Sequence, residues 1–204
     1  VTNTLYLDMD GVVADWDLTS AKILGGDLRT RAIDGHYKNT PDEWSIIAQQ
    51  ERLYRHMPIM PLGQELVDLA REYRDKLGWQ LKFLTAVPKN DDMPWAFYDK
   101  CMWALERFPD IAVMFGPHST DKWRHCQPGD ILVDDRSDNC ASWIGAGGMA
   151  VHVQGRDLRV YIEELRWDLN RRMSMRSMAA LNDMADRLVA SGGFNVGNSS
   201  ASSH

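Results

Sequence analysis

Two pairs of aspartates close apolar runs in this chain. Asp8 and Asp10 follow Leu5-Tyr6-Leu7 in the stretch Leu7-Asp8-Met9-Asp10-Gly11-Val12-Val13-Ala14-Asp15, and Asp134 and Asp135 follow Ile131-Leu132-Val133 ahead of Arg136. A carboxylate is costly to bury alone, so several at neighbouring strand ends imply a cation that holds them together. The spacing reads as a magnesium site for phosphoryl transfer.

In that chemistry Asp8 is the candidate nucleophile, because a carboxylate oxygen is competent to attack a phosphorus atom. Asp10 lies two residues on, in a turn loosened by Gly11, where it can protonate the leaving alcohol and later activate water. Asp135 is the best further metal ligand, magnesium taking an all-oxygen site completed by water and substrate phosphate. Asp134 orients either a metal-bound water or a lysine. That lysine is expected to be Lys122, in Ser119-Thr120-Asp121-Lys122-Trp123, a point charge to offset the phosphoryl group. Thr85, at the end of Leu81-Lys82-Phe83-Leu84, offers a hydroxyl and following backbone N–H groups to phosphate oxygens, and Lys89 adds charge at the rim.

These residues need a frame that brings them to one edge. Five apolar runs, Leu5 to Leu7, Leu81 to Leu84, Ile111 to Phe115, Ile131 to Val133 and Met149 to Val153, read as strands covered on both faces, as in a parallel sheet. Helical periodicity fills the gaps. Leu62, Leu66, Leu69, Ala70, Tyr73 and Leu77 recur at helical spacing with Gly78 as the stop, and Trp95, Tyr98, Met102, Leu105 and Phe108 suggest one apolar face after Pro94. The alternation predicts an α/β three-layer sandwich with a parallel Rossmann-like sheet, whose ligands sit beyond the carboxyl ends of the strands.

About fifty residues separate Gly11 from Pro61, too many for a plain connection, so residues 16–60 are expected to form a small helical cap above the site. The core is then residues 1–15 and 61–156. A helical extension covers 157–190, and the Gly-, Ser- and Asn-rich residues 191–204 form a tail with little fixed structure. The Met and Arg mixture from Arg171 to Arg187 marks an amphipathic helix, either packed on the core or at the interface of a homodimer.

The set Asp8-x-Asp10-Gly11, Thr85, Lys122 and Asp134-Asp135, in this order, resembles the four motifs of haloacid dehalogenase (HAD) superfamily phosphatases. Within that superfamily the chain is most similar to the 5′(3′)-deoxyribonucleotidases, through Asp8 to Trp16, Pro61-Leu62-Gly63, Thr85 to Lys89 and Ile131 to Asp138. The resemblance spans residues 4–153. It implies an aspartyl-phosphate on Asp8, Asp10 as acid and base, and magnesium held by Asp8, the Asp10 backbone carbonyl and Asp135. It also implies that Trp16 faces the base of a nucleoside monophosphate. Ala86 departs from the pattern, standing in a substrate-binding stretch where those enzymes offer a second hydroxyl. The cap matches loosely, and the cap selects the substrate.

Composition narrows the partners. Among 204 residues with 44% hydrophobic and 25% charged, the net charge is −6, so the chain lacks the basic face that tight binding to a nucleic-acid backbone normally needs. A small phosphomonoester remains compatible. Three cysteines form no paired framework, the first residues carry no signal-peptide pattern, and no apolar run nears membrane-spanning length, so a cytoplasmic enzyme without membrane contact is expected. His118, His125 and Cys126 cluster near Lys122 but lack a fourth zinc ligand at the usual spacing. Rival readings stay open: a phosphatase of another small metabolite such as a sugar phosphate, a phosphomutase, a 3′-phosphatase of nucleic-acid ends, and a non-catalytic nucleotide-binding protein.

Overall fold

The computed structural model describes residues 2–26, 39–88, 93–116 and 118–190. Strand β1 (Thr4–Leu7) leads through an acidic turn into helix α1 (Trp16–Leu24), and α2 (Pro41–Ile47) follows. A 3₁₀ turn at Leu53–His56 precedes α3 (Gly63–Leu77) and β2 (Gln80–Thr85). Then come α4 (Ala96–Arg107), β3 (Ala112–Phe115), a 3₁₀ turn at Ser119–His125 and β4 (Ile131–Asp134). Helix α5 (Ser137–Gly145), β5 (Met149–His152) and α6 (Arg159–Ala190) complete the described residues.

All five strands are parallel, in the order β3-β2-β1-β4-β5. The order turns at β1, which has β2 on one side and β4 on the other, and a crevice opens beyond the strand ends at such a switch point. Every residue of β1 and β4 is buried, which is why their sequences run apolar without alternation. Alternate residues of β2 serve opposite faces. Leu84 joins Tyr6, Leu132 and Trp143 of α5 in one cluster, while Phe83 meets Phe108 edge-on beside Trp103 of α4. Helices on both faces make the expected sandwich.

The connection after β1 holds helices, as its length requires, with Thr40 and Glu43 forming a reciprocal capping box at the start of α2. Residues 27–38 of that connection lie outside the described residues. Gly78 ends α3 in the left-handed region, as its position suggested. Helix α4 differs from expectation. Its buried face carries Ala96, Asp99, Lys100, Trp103 and Ala104, whereas Tyr98 and Leu105 are 51% and 56% exposed. Two charged residues face inward because each finds a partner there, and apolar spacing alone misjudged the face.

The chain divides into two compact units, residues 1–166 and 167–204. In the first, Leu158, Ile162 and Leu165 are buried and the Tyr73 hydroxyl donates to the Leu165 carbonyl at 2.6 Å. In the second, the helix is laced by Asp168 with Arg171 and Arg172 and by Asp183 with Arg187, and Met175, Met178, Leu181 and Met184 are exposed. One helix, not two, spans Arg159–Ala190, in keeping with a stretch that contains neither glycine nor proline. The expected tail, 191–204, lies outside the described residues. No helix among those described is long and apolar enough to cross a membrane.

Trp143 is fully buried, T-shaped against Tyr6 at 5.2 Å, with its indole N–H on the Asp130 carbonyl. Replacing it with Ala is expected to cost about 3–5 kcal/mol of folding stability, read from the midpoint of urea denaturation.

Candidate active site

Strand register brings the two acidic pairs together. Leu7 lies opposite Val133, and the Asp8 N–H donates to the Val133 carbonyl at 2.9 Å, so Asp8 and Asp134 leave adjacent strands side by side. The chain then folds back tightly. The Met9 carbonyl accepts from Val13 at 2.9 Å and Ala14 at 2.7 Å, and Gly11 N–H donates to the Ala14 carbonyl at 2.9 Å. Gly11 sits at φ +77, where a Cβ would stand 2.7 Å from Asp135 Oδ2. Glycine therefore permits both the turn and the close approach of the second acidic pair.

Lys122, 2% exposed, reaches this edge from the 3₁₀ turn after β3. Its ammonium is 2.7 Å from Asp8 Oδ2 and 2.7 Å from Asp134 Oδ2. The other Asp134 oxygen accepts from the Arg136 backbone N–H and the Asn139 amide, both at 2.9 Å. Asp134 is thereby occupied in holding Lys122 and the start of α5. Asp8 Oδ1 accepts from the Met9 N–H at 2.7 Å, which fixes the carboxylate plane.

Carboxylate oxygens of Asp8, Asp134 and Asp135 lie within 4.8 Å of one another. Lys122 pairs with two of the three, the buried Asp8 and Asp134, while Asp135 is half-buried beside them. Burial pushes the Asp8 carboxyl well above the usual carboxylate range, Lys122 pulls it back only in part, and Asp134, Asp135 and Asp10 raise it further. Burial would lower the Lys122 ammonium, but Asp134 and Asp8 overcome that and hold it above the ordinary lysine range. An oxygen-only donor set with this charge fits a divalent hard cation.

Nearby acids and thiols do not share this character. Asp130 is as buried, yet its oxygens accept backbone N–H groups from Thr4 and Gln127 at the opposite end of the sheet. The Cys140 thiol, against the Asp134 carbonyl, is pushed up to about 12 by burial and then by Asp134 and Asp135, so it stays protonated. Asp15 caps α1 through the Leu18 N–H and pairs with Arg156, which places it in the structural frame.

A second group of residues gathers around Lys100, which the motif reading passed over. This α4 lysine, 1% exposed, lies 2.5 Å from Asp10 Oδ2, 3.0 Å from Thr85 Oγ1 and 2.5 Å from the Ala86 carbonyl. Its ammonium also stands 4.7 Å from the centre of the Tyr54 ring. Burial, with Asp10 adding, raises the Tyr54 hydroxyl well above the usual tyrosine range. Trp16 stacks on Tyr54 at 5.7 Å and on Trp44 at 5.3 Å, so its ring is engaged with protein neighbours. Lys100 carried one sequence signal, a cation at a position in phase with Ala96, Trp103 and Ala104.

The structure thus brings Asp8, Asp134, Asp135 and Lys122 together, and Asp10, Thr85 and Ala86 around Lys100. Trp16 belongs to the aromatic stack above. Lys89 lies outside the described residues. His118, His125 and Cys126 do not form a metal cluster among the described residues, and the His125 ring contacts the Phe115 carbonyl.

No family model matches this chain, and no curated protein does. Solved structures do resemble it. A hydrolase from Streptococcus pneumoniae TIGR4 is 13% identical, covering 83% of this chain and 98% of that one at a TM-score of 0.48. The L-2-haloacid dehalogenase from Xanthobacter autotrophicus with chloropropionic acid covalently bound is 13% identical, covering 75% and 78% at 0.43. A HAD family enzyme from Bacteroides thetaiotaomicron, in complex with magnesium and inorganic phosphate, is 14% identical, covering 79% and 99% at 0.42. Likenesses this loose add nothing to what sheet order and site geometry establish.

Proposed function

We propose that the protein is a magnesium-dependent phosphomonoesterase working through an aspartyl-phosphate, with nucleoside 5′-monophosphates, deoxyribonucleotides foremost, as substrates. The observation that carries the chemistry is the convergence of Asp8, Asp134 and Asp135 oxygens within 4.8 Å of one another, beside the Lys122 ammonium. Asp8, the Asp10 carbonyl and Asp135 would hold the cation. When bound, magnesium would supply positive charge to the phosphoryl oxygens as a Lewis acid.

The chain's own groups divide the work. An Asp8 oxygen forms the bond to phosphorus as the bond to the ester oxygen breaks, and Asp10 delivers a proton to the departing alkoxide. Asp10 then takes a proton from the water that releases phosphate and frees Asp8. Lys122, fixed by Asp134, holds the Asp8 carboxylate and balances charge on the transferring group. The Thr85 hydroxyl, buried at the end of β2, would bind phosphoryl oxygen. For the leaving group, Arg52 of a cavity lined by Glu51, Arg52 and Trp95 pairs with Asp99, the neighbour of Lys100, and would offer a charged wall.

The reading leads to separable outcomes. With Mg²⁺ present, Asp8→Asn is expected to abolish phosphate release without unfolding the protein, and Asp10→Asn to lower kcat roughly 10²–10⁴-fold; unchanged turnover in Asp8→Asn removes the nucleophile assignment. A panel of thymidylate, uridylate, other nucleotides, sugar phosphates and a 3′-phosphorylated oligonucleotide checks the substrate, and a flat or non-nucleotide preference removes the nucleotidase reading alone.

Cation binding should also depend on pH. Because the Asp8 carboxyl sits above its unfolded value, its contribution to the cation-free fold is full at acidic pH and is lost as pH rises through the raised value. A cation requires the carboxylate, so Mg²⁺ is expected to raise Tm more at pH 8 than at pH 5, by about 2–4 °C for each 1 kcal/mol of linkage. Thermal unfolding with and without Mg²⁺ at the two pH values measures the difference.

A further inference from the structure

The candidate acid Asp10 does not stand alone. One of its oxygens, Oδ2, is tied to Lys100, while the other, Oδ1, is buried without a hydrogen-bond partner. A carboxylate with one oxygen tethered and the other unsatisfied is orientated, and its remaining acceptor is reserved for something that arrives.

The tether is itself complete. A lysine ammonium has three N–H donors, and Lys100 has three oxygen acceptors within 3.0 Å: Asp10 Oδ2, Thr85 Oγ1 and the Ala86 carbonyl. It is enclosed, 1% exposed, with the Tyr54 ring at 4.7 Å. A donor set used up within the protein leaves nothing for a substrate phosphate. Lys122 differs: its ion-pair partners Asp8 and Asp134 belong to the opposite half of the site.

The acceptors come from separate parts of the chain. Asp10 belongs to the turn after β1, while Thr85 and Ala86 belong to the end of β2, and Lys100 reaches both from α4. The segment that carries Tyr54 is fastened to the same turn of α4, since Arg52 pairs with Asp99 at 2.8 Å. Asp99 and Lys100 thus bind the Arg52–Tyr54 segment and the two loops that carry Asp10 and Thr85.

We propose that Lys100 is the positioning residue for Asp10: its ammonium ties Asp10 Oδ2 to Thr85 and the Ala86 carbonyl, so that Oδ1 faces the leaving-group oxygen. The assignment rests on the phosphomonoesterase reading above. Lys100 acts through Asp10 and touches no substrate, and this separates it from a phosphate-binding lysine. Loss of a phosphate ligand weakens substrate binding; loss of this tether leaves binding intact and lets the proton donor wander.

The test compares wild type, Lys100→Met, Asp10→Asn and the double variant with Mg²⁺, on alkyl phosphates and on aryl phosphates of falling leaving-group basicity. Lys100→Met is expected to lower kcat on alkyl phosphates about 10²-fold and to change KM less than about threefold. The loss should shrink below about tenfold for dinitrophenyl phosphate, whose leaving group needs no proton. Asp10→Asn should show the same trend, and the double variant should be no slower than Asp10→Asn alone. A raised KM with kcat retained, an equal loss across all leaving groups, or additive losses would overturn the assignment.

A readout on the unmodified protein needs neither turnover nor a variant that folds. In spectra of ¹⁵N-labelled lysine side chains at neutral pH, the clamped Lys100 ammonium is expected as a slowly exchanging signal whose protons show contacts to Tyr54. Absence of any such signal would overturn the clamp. Absence of Mg²⁺-dependent hydrolysis with every phosphomonoester, while that signal is present, would instead reject the phosphatase reading and leave the clamp standing.

Discussion

Three carboxylates that converge beside one buried ammonium set the terms for this protein. Asp8, Asp134 and Asp135 are held close by the register of β1 against β4 and by the turn that Gly11 permits, neither of which yields to the repulsion between them. Burial raises the Asp8 carboxyl, Lys122 draws it partly back, and the neighbouring carboxylates raise it further. A cluster of this kind costs stability unless a cation completes it. The contrast with Asp130 sharpens the point, since that equally buried acid is satisfied by backbone N–H groups and asks for nothing further.

The site is built as two ion-paired halves that meet at the turn after β1. One half joins Asp8 through Lys122 to Asp134, and through it to Arg136 and Asn139 at the start of α5. The other joins Asp10 through Lys100 to Thr85 and Ala86. Asp8 and Asp10, two residues apart in sequence, are therefore anchored to different elements, one carboxylate held on both oxygens and the other on one.

Above the second half, Trp44, Trp16 and Tyr54 stack in succession and end over the Lys100 ammonium. The connection between β1 and α3 thus contributes packing directly to the Lys100 side of the site. Its aromatic residues are occupied with one another, whereas Arg52 and Trp95 line a cavity.

The sequence by itself determined the strands, the parallel α/β frame and the edge at which chemistry would occur, because five short apolar runs alternate with helical periodicity and both acidic pairs fall at strand ends. Asp8, Asp10, Asp134 and Asp135 were legible for the same reason, since local spacing next to a buried strand dictates where their carboxylates emerge. Tertiary structure alone decided which lysine serves which acid. Lys122 and Lys100 reach the site from separate elements, and Lys100 lies on the buried face of α4, not on the face of Tyr98 and Leu105 that apolar spacing had selected. A charge becomes a core residue only when its partners, here three oxygens from two distant loops, are delivered by the fold. Hydrophobic periodicity records what leaves water and is silent on charges that leave it together.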